Sequence, residues 1–202
     1  MAIVDSRADA AEAELGRFIV LLGPSGAGKD TLISHARREL SGSADVLFVR
    51  RVITRPADAA GSEDHIAMSD AEFDAAIDDG RFSLTWSANG LRYGLPRDVE
   101  SHLAAGRVAV ANGSRGAWNV IRQVFPSAVA VEIRVDPEIL ARRLEARGRE
   151  NAAEIAARLK RASDLTAGFE AGIIIDNSGA VETAGAALTD YIRHAQADMS
   201  GR

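Results

Sequence analysis

The stretch Gly23-Pro24-Ser25-Gly26-Ala27-Gly28-Lys29-Asp30-Thr31 constrains the fold of this chain more than any other. An apolar run, Phe18 to Leu22, leads into it, and Thr31 to Leu40 follows with helical spacing. Strand, glycine-rich turn and helix in that order form the context in which a phosphate-binding loop works. Glycines accept positive φ at little cost, so successive backbone N–H groups can curl around an anion. The helix N-terminus adds the positive end of its dipole. Lys29 is then placed for the outer phosphates of a nucleotide. The alternative is a glycine-rich turn with a surface lysine. The GxxxxGK pattern is complete, but Asp30 stands where Ser or Thr would offer a hydroxyl to Mg²⁺. A carboxylate can bind the metal directly, although it also repels phosphate; Thr31 offers a hydroxyl instead. Asp30 and Thr31 are therefore the two metal candidates.

The remaining sequence limits the possibilities. The chain has 202 residues, 47% hydrophobic and 26% charged, which suits one globular domain. It has no cysteine, which excludes disulfides and thiolate metal sites. No apolar run approaches the roughly 20 residues that span a bilayer. The N-terminus lacks a basic segment followed by an apolar one. These features predict a cytoplasmic protein with no membrane partner. A net charge of −5 argues against a broad nucleic-acid surface, so an anionic small-molecule substrate has to be held by local cation clusters.

Short apolar strands alternate with helices along the chain, predicting a parallel, doubly wound α/β core. Residues 1–15 are expected to be a tail, and 16–198 a single domain. Strands are expected at Val46–Val49, Arg81–Trp86, Leu91–Gly94, Val108–Ala111, Ala128–Val135 and Gly172–Asp176. Helices are expected after the loop to about Leu40, and from Ser69, whose capping box includes Glu72, to about Asp79. Others are expected at Asp98–Ala105 and Arg115–Phe125, from Asp136-Pro137-Glu138 to Gly148, from Asn151 to about Arg161, and over 180–198. Asn89-Gly90 reads as a hairpin turn. Residues of about 50–95 would form a small cover over the core, and about 137–165 a helical lid.

Three groups of residues suit phosphoryl transfer, which needs positioning and charge neutralisation more than covalent chemistry. The loop is the first. The second is Arg142, Arg143, Arg147 and Arg149, with Arg158 beyond Gly148; Arg143 and Arg147 share a helical face. Guanidinium forks suit phosphate oxygens and keep their charge, and a hinged lid can swing them over a donor. A solvated basic face paired with nearby glutamates explains the same pattern equally well. The third is Arg50, Arg51 and Arg55 with Tyr93 and Asn112. A solvated edge is the better reading for Arg50, and a packed aromatic is a strong rival for Tyr93. Asn112 ends an apolar strand, where α/β sheets place ligands, or else caps the next helix. Glu63-Asp64-His65 lacks a second metal-type partner. Trp86 and Trp118 read as core, and Ser114 has no base partner that would make it a nucleophile.

Taken together, Gly-Pro-Ser-Gly-Ala-Gly-Lys, Thr54-Arg55-Pro56, Tyr93-Gly94 and Arg143-Leu144-x-x-Arg147-Gly148 follow the order of guanylate kinases, which the chain resembles. It departs from them in its acceptor pocket. Asp30 replaces Ser or Thr, Ala57-Asp58 stand where a second arginine is usual, and Leu95 follows Tyr93-Gly94. His65 stands near a phosphate-binding tyrosine, and Asn112 near an aspartate that reads guanine. These departures resemble the ribose 1,5-bisphosphate phosphokinases of phosphonate degradation. That likeness extends to Ser62–Ser69, Trp86–Leu91, Asn112-Gly113-Ser114-Arg115 and Leu144–Asn151.

The resemblance implies a guanylate-kinase-like fold and ATP-dependent, Mg²⁺-assisted phosphorylation of a sugar phosphate. It implies nucleotide binding by Gly23, Pro24, Ser25, Gly26, Ala27, Gly28, Lys29, Asp30, Thr31 and Asn177. Acceptor binding would fall to Arg51, Arg55, His65, Tyr93, Asn112 and Arg115, and catalysis to Lys29, Arg143, Arg147 and Arg158. The competing readings are a nucleoside monophosphate kinase, most plausibly for GMP, and a non-catalytic interaction module. The retained Lys29 argues against the module. The oligomeric state stays open.

Overall fold

The computed structural model describes residues 16–56, 64–88, 90–146 and 171–200. At its centre lies β1 (Phe18–Leu22), every residue of which is buried. A strand with no polar face must be covered on both sides, which suits the middle of a parallel sheet. Parallel pairing puts β7 (Val108–Asn112) on one side of β1 and β8 (Ala128–Arg134) on the other. β2 (Val46–Phe48) and β9 (Ile173–Asp176) complete a five-stranded order β2-β7-β1-β8-β9.

Alternation along the strands sorts the side chains into two cores. Ile19, Leu21, Val110, Val131 and Ile133 face Leu32, Ala36, Leu188 and Ile192. The latter come from α1 (Lys29–Glu39) and from the C-terminal helix, Val181–Ser200, here α6. Phe18, Val20, Leu22 and Ala111 face Val99, Leu103, Trp118 and Ile121. These belong to α3 (Asp98–Ala104) and α4 (Trp118–Val124). α5 (Pro137–Ala146) starts with Asp136 Oδ1 accepting the Glu138 and Ile139 backbone N–H groups, as the sequence predicts.

A second sheet of four strands, ordered β4-β3-β6-β5, occupies the region expected to cover the core. β5 (Phe82–Ala88) and β6 (Leu91–Pro96) form its hairpin. β3 (Val52–Ile53) and β4 (Ile66–Ala67) are two residues each and pair in parallel. Neither is among the strands expected from sequence, since two residues carry no periodic signal. α2 (Asp70–Asp78) has the predicted Ser69–Glu72 capping box, and Gly80 at φ 64° follows its end.

Other boundaries moved slightly. The expected helix over Arg115–Phe125 opens as a single 3₁₀ turn, Arg115–Ala117, before α4. The first 15 residues, Asn89 of the hairpin turn, and the lid beyond Ala146 lie outside the described residues. So do Gly148, the helix expected from Asn151, and the N-terminal tail.

Candidate active site

The loop after β1 has the backbone that a phosphate cradle requires. Gly23, Gly26 and Gly28 lie at φ 151°, 91° and 87°. A Cβ on Gly28 would stand 2.5 Å from Asn177 Nδ2. One on Gly26 would press on Leu140 and Leu144 of α5 at 3.0 Å, so close packing as well as conformation calls for glycine here. The Lys29 ammonium donates to the Gly23 and Pro24 carbonyls at 3.0 Å each, which holds it across the mouth of the loop. A cradle this tight, followed by a helix N-terminus, fits the phosphates of a nucleotide.

Two buried polar residues flank the base of the loop. Strand register sets Asn112 opposite Leu21 and Glu132 opposite Leu22. Asn112 Nδ2 donates to Asp30 Oδ1 at 2.6 Å, so the unusual Asp30 is oriented from the neighbouring strand. Asn112 is 8% exposed, and its Oδ1 has no hydrogen-bond partner among the described residues. Such an orphan in a cleft suits a ligand donor. The rival reading of Asn112 as a helix cap fails, because Ser114 Oγ accepts the Ala117 N–H in that role.

On the other side, Glu132 is 2% exposed and bonded by two guanidinia, Arg115 at 2.7 Å and Arg134 at 2.9 Å. Arg115, expected at the acceptor, is thus placed against a buried carboxylate beside the loop, with only 9% of its side chain exposed.

From Asp30 a cleft runs along α1, lined by Ile33, Ser34 and Arg37, with Val49, Arg51, Asp64 and Asn112 opposite. Asp30 and Thr31 both stand in the first turn of α1, with Thr31 on its exposed surface. Among the described residues no cluster of three or more His, Cys, Asp or Glu could form a metal cage. A single carboxylate at the end of a phosphate cradle fits Mg²⁺, which commonly takes one or two carboxylates together with substrate phosphates.

Arg51 is 7% exposed, with its guanidinium 5.3 Å from the centre of the Tyr93 ring. Tyr93 in turn stacks on Trp86 at 5.3 Å, so it is packed and still faces a cation of the cleft. Trp118 is core, as expected, and Trp86 is half-buried, packed against the same core and stacked on Tyr93. His65 is buried, and its Nε2 lies 3.3 Å from the Arg55 carbonyl, which ties β4 to the end of β3. Arg143 sits half-buried on α5, between the two leucines that touch Gly26. Arg147 and Arg158 lie outside the described residues. Asn177 acts on the loop directly: it is 1% exposed, and its Nδ2 donates to the Ala27 carbonyl at 2.7 Å.

Comparison with known proteins accords with this geometry. Residues 15–195 match the guanylate kinase family. The ribose 1,5-bisphosphate phosphokinase PhnN of Agrobacterium fabrum is 47% identical over 176 residues, 87% of this chain and 96% of that protein. Its namesakes from Brucella melitensis and Desulfomicrobium baculatum are 45% and 43% identical, over 91% and 93% of this chain and 94% and 99% of theirs. The chain belongs to the ribose 1,5-bisphosphate phosphokinase family. Among solved structures, a guanylate kinase from Anaplasma phagocytophilum superposes with a TM-score of 0.65 at 19% identity. That match covers 91% of this chain and 87% of the other, and it shows the shared fold.

Within this phosphokinase family member, sequence reasoning passed over Arg37, Ser34, Glu132 and Arg134. A glutamate inside the apolar run Ala128–Val135 was a visible signal for the buried triad. Arg37 had none, because an arginine in the last turn of a helix is ordinary.

Proposed function

We propose that the chain transfers the γ-phosphoryl group of ATP to the 1-phosphate of ribose 1,5-bisphosphate, giving 5-phospho-α-D-ribose 1-diphosphate and ADP. The observation that carries this reading is the Asp30–Asn112 pair joining the phosphate loop to a cleft lined by Arg51. An oxygen of the acceptor phosphate forms the new bond to γ-phosphorus as the bond to the β-phosphate bridging oxygen breaks. The acceptor oxygen is already anionic, so no general base is needed.

The backbone of 23–28 binds the donor phosphates, and Lys29 shifts from its own loop carbonyls onto their oxygens. Arg143, with Arg147 and Arg158, adds positive charge that matters most as charge spreads in the transition state. Arg51, Arg55, His65, Tyr93 and Asn112 are assigned to the acceptor, and Asn177 to keeping the loop in shape. Arg115 is assigned to the acceptor as well, beside its bond to Glu132. Mg²⁺ on Asp30 or Thr31 would neutralise phosphate charge when bound.

Asn112 in place of an aspartate and Leu95 after Gly94 argue against GMP as the acceptor. Lys29 in its cradle argues against an interaction module. A cytoplasmic setting without nucleic-acid or membrane partners belongs to the same proposal; among the described residues no helix is long and apolar enough to cross a membrane.

The test is ADP release by purified protein with Mg-ATP and either ribose 1,5-bisphosphate or GMP. Faster release with GMP overturns the assignment. Lys29→Ala should lower kcat by about 10² or more, since the lost charge acts chiefly in the transition state.

A further inference from the structure

The cleft has an outer end that the transfer reaction leaves unassigned. Asp30, Ile33, Ser34 and Arg37 are spaced i, i+3, i+4 and i+7 and form one stripe of α1 along the cleft. Seven residues of helix rise about 10 Å, so Arg37 stands roughly two turns from the phosphate-loop end. There Arg37 Nη1 donates to Asp64 Oδ2 at 2.6 Å, and Arg50 Nε donates to Asp64 Oδ1 at 2.7 Å. The two arginines come from different elements, the helix of the loop and the segment entering β3. Each oxygen of one carboxylate is taken by a different guanidinium. Arg37 also lies 5.6 Å from the centre of the Phe48 ring, which limits where its fork can point.

We propose that this outer end is a second anion site, which takes the far phosphate of the acceptor in exchange for the Asp64 carboxylate. The inference rests on the sugar-bisphosphate reading given above. Guanidinium forks bind phosphate and carboxylate oxygens in the same geometry, so an incoming phosphate can replace Asp64 without rebuilding the site. Among the described residues two arginines against one carboxylate leave a net charge of +1, favourable to a dianion. Arg51, which lines the same cleft, is assigned to the reacting phosphate. An acceptor carrying a single phosphate would offer the outer site nothing anionic. The cleft then measures its substrate by the distance between two charges, with α1 as the rigid gauge because it carries both ends.

The experiment is titration calorimetry of the whole chain, without nucleotide, against ribose 1,5-bisphosphate and ribose 1-phosphate. The ratio of the two dissociation constants isolates the far phosphate. Wild type should favour the bisphosphate by about tenfold or more, the scale of a charge-assisted contact. Arg37→Ala should bring the ratio near one, and Arg37→Lys should restore part of it. Asp64→Asn, which removes the competing anion, should raise the ratio several-fold. In turnover, Arg37→Ala should weaken KM for the bisphosphate more than kcat.

A wild-type ratio near one, a ratio unchanged by Arg37→Ala, or a ratio lowered by Asp64→Asn overturns the second site. Thermal midpoints of the variants separate these results from loss of the fold. Failure of the proposed function has a different signature: no ADP release with the bisphosphate by the wild type.

Discussion

Glu132→Gln tests how the base of the phosphate loop is held. The substitution keeps shape and one acceptor oxygen but removes the negative charge between Arg115 and Arg134. Glu132 is 2% exposed and the Arg115 side chain 9%, so Arg115 would be left as a buried cation facing an amide. Breaking a buried pair by removing one partner costs about 3–5 kcal/mol, and the retained oxygen favours the lower end of that range. In a domain of this size each 1 kcal/mol moves the midpoint by about 2–4 °C, so a fall of about 6–12 °C is expected.

Arg134→Ala is the control. Its side chain is 53% exposed, so water screens the lost contact, and about 1 kcal/mol or less should disappear. Thermal and urea denaturation of both variants read these values. A Glu132→Gln midpoint within about 2 °C of wild type, or an Arg134→Ala loss as large as that of Glu132→Gln, would refute the reasoning. The pair Arg115→Met with Glu132→Leu should recover most of the stability, as buried ion pairs replaced by apolar groups commonly do. If KM for the acceptor stays poor after that recovery, Arg115 also touches substrate; if it returns, the residue only supports the loop.

Two further outcomes can be measured. Gly28→Ala should cost about 1–2 kcal/mol from positive φ alone, besides the clash of its Cβ with Asn177 at 2.5 Å. Adding Asn177→Ala should relieve the clash and not the strain, so stability should recover only in part. The Asp64 carboxyl is influenced most by burial, which raises its pKa, but hydrogen bonds and charge from Arg37 and Arg50 outweigh this and hold it below its ordinary 3.8. A depressed carboxylate stabilises the fold above its unfolded value and loses that effect as pH falls through the lower folded value. The stability gap between wild type and Asp64→Asn should therefore be level above about pH 5 and close below about pH 4. It should stay under about 1 kcal/mol, because the pair is part-exposed. A gap that widened on acidification would contradict the assignment.

The core and the loop were legible in the sequence because single segments encode them. β1 and the first four residues of β7 are apolar on both faces, so their burial shows as uninterrupted runs, and the GxxxxGK spacing fixes a local backbone. β3 and β4 were hidden for the opposite reason. Val52 pairs with Ile66 and with Gly94, and those distant partners, not any pattern in Val52-Ile53, make them strands. The site divides in the same way. Lys29, Asp30 and Asn112 sit at the ends of regular elements, where topology places ligands. The bond of Arg115 to Glu132 on β8, 17 positions away in sequence, has no local signal. Arg37 and Asp64 are 27 positions apart, and only the folded chain brings them together.

The phosphate loop is synthesised well before the residues that complete it. Its backbone lies against the Ile133 carbonyl and the leucines of α5, and Asn177 fastens it. A ribosome-bound fragment ending before β9 would contain every residue of the GxxxxGK pattern and lack the clamp on Ala27. Nucleotide binding should thus appear abruptly and late in synthesis, once Asn177 has left the exit tunnel. Fragments cut short upstream of that point should compete poorly for the cell's ATP.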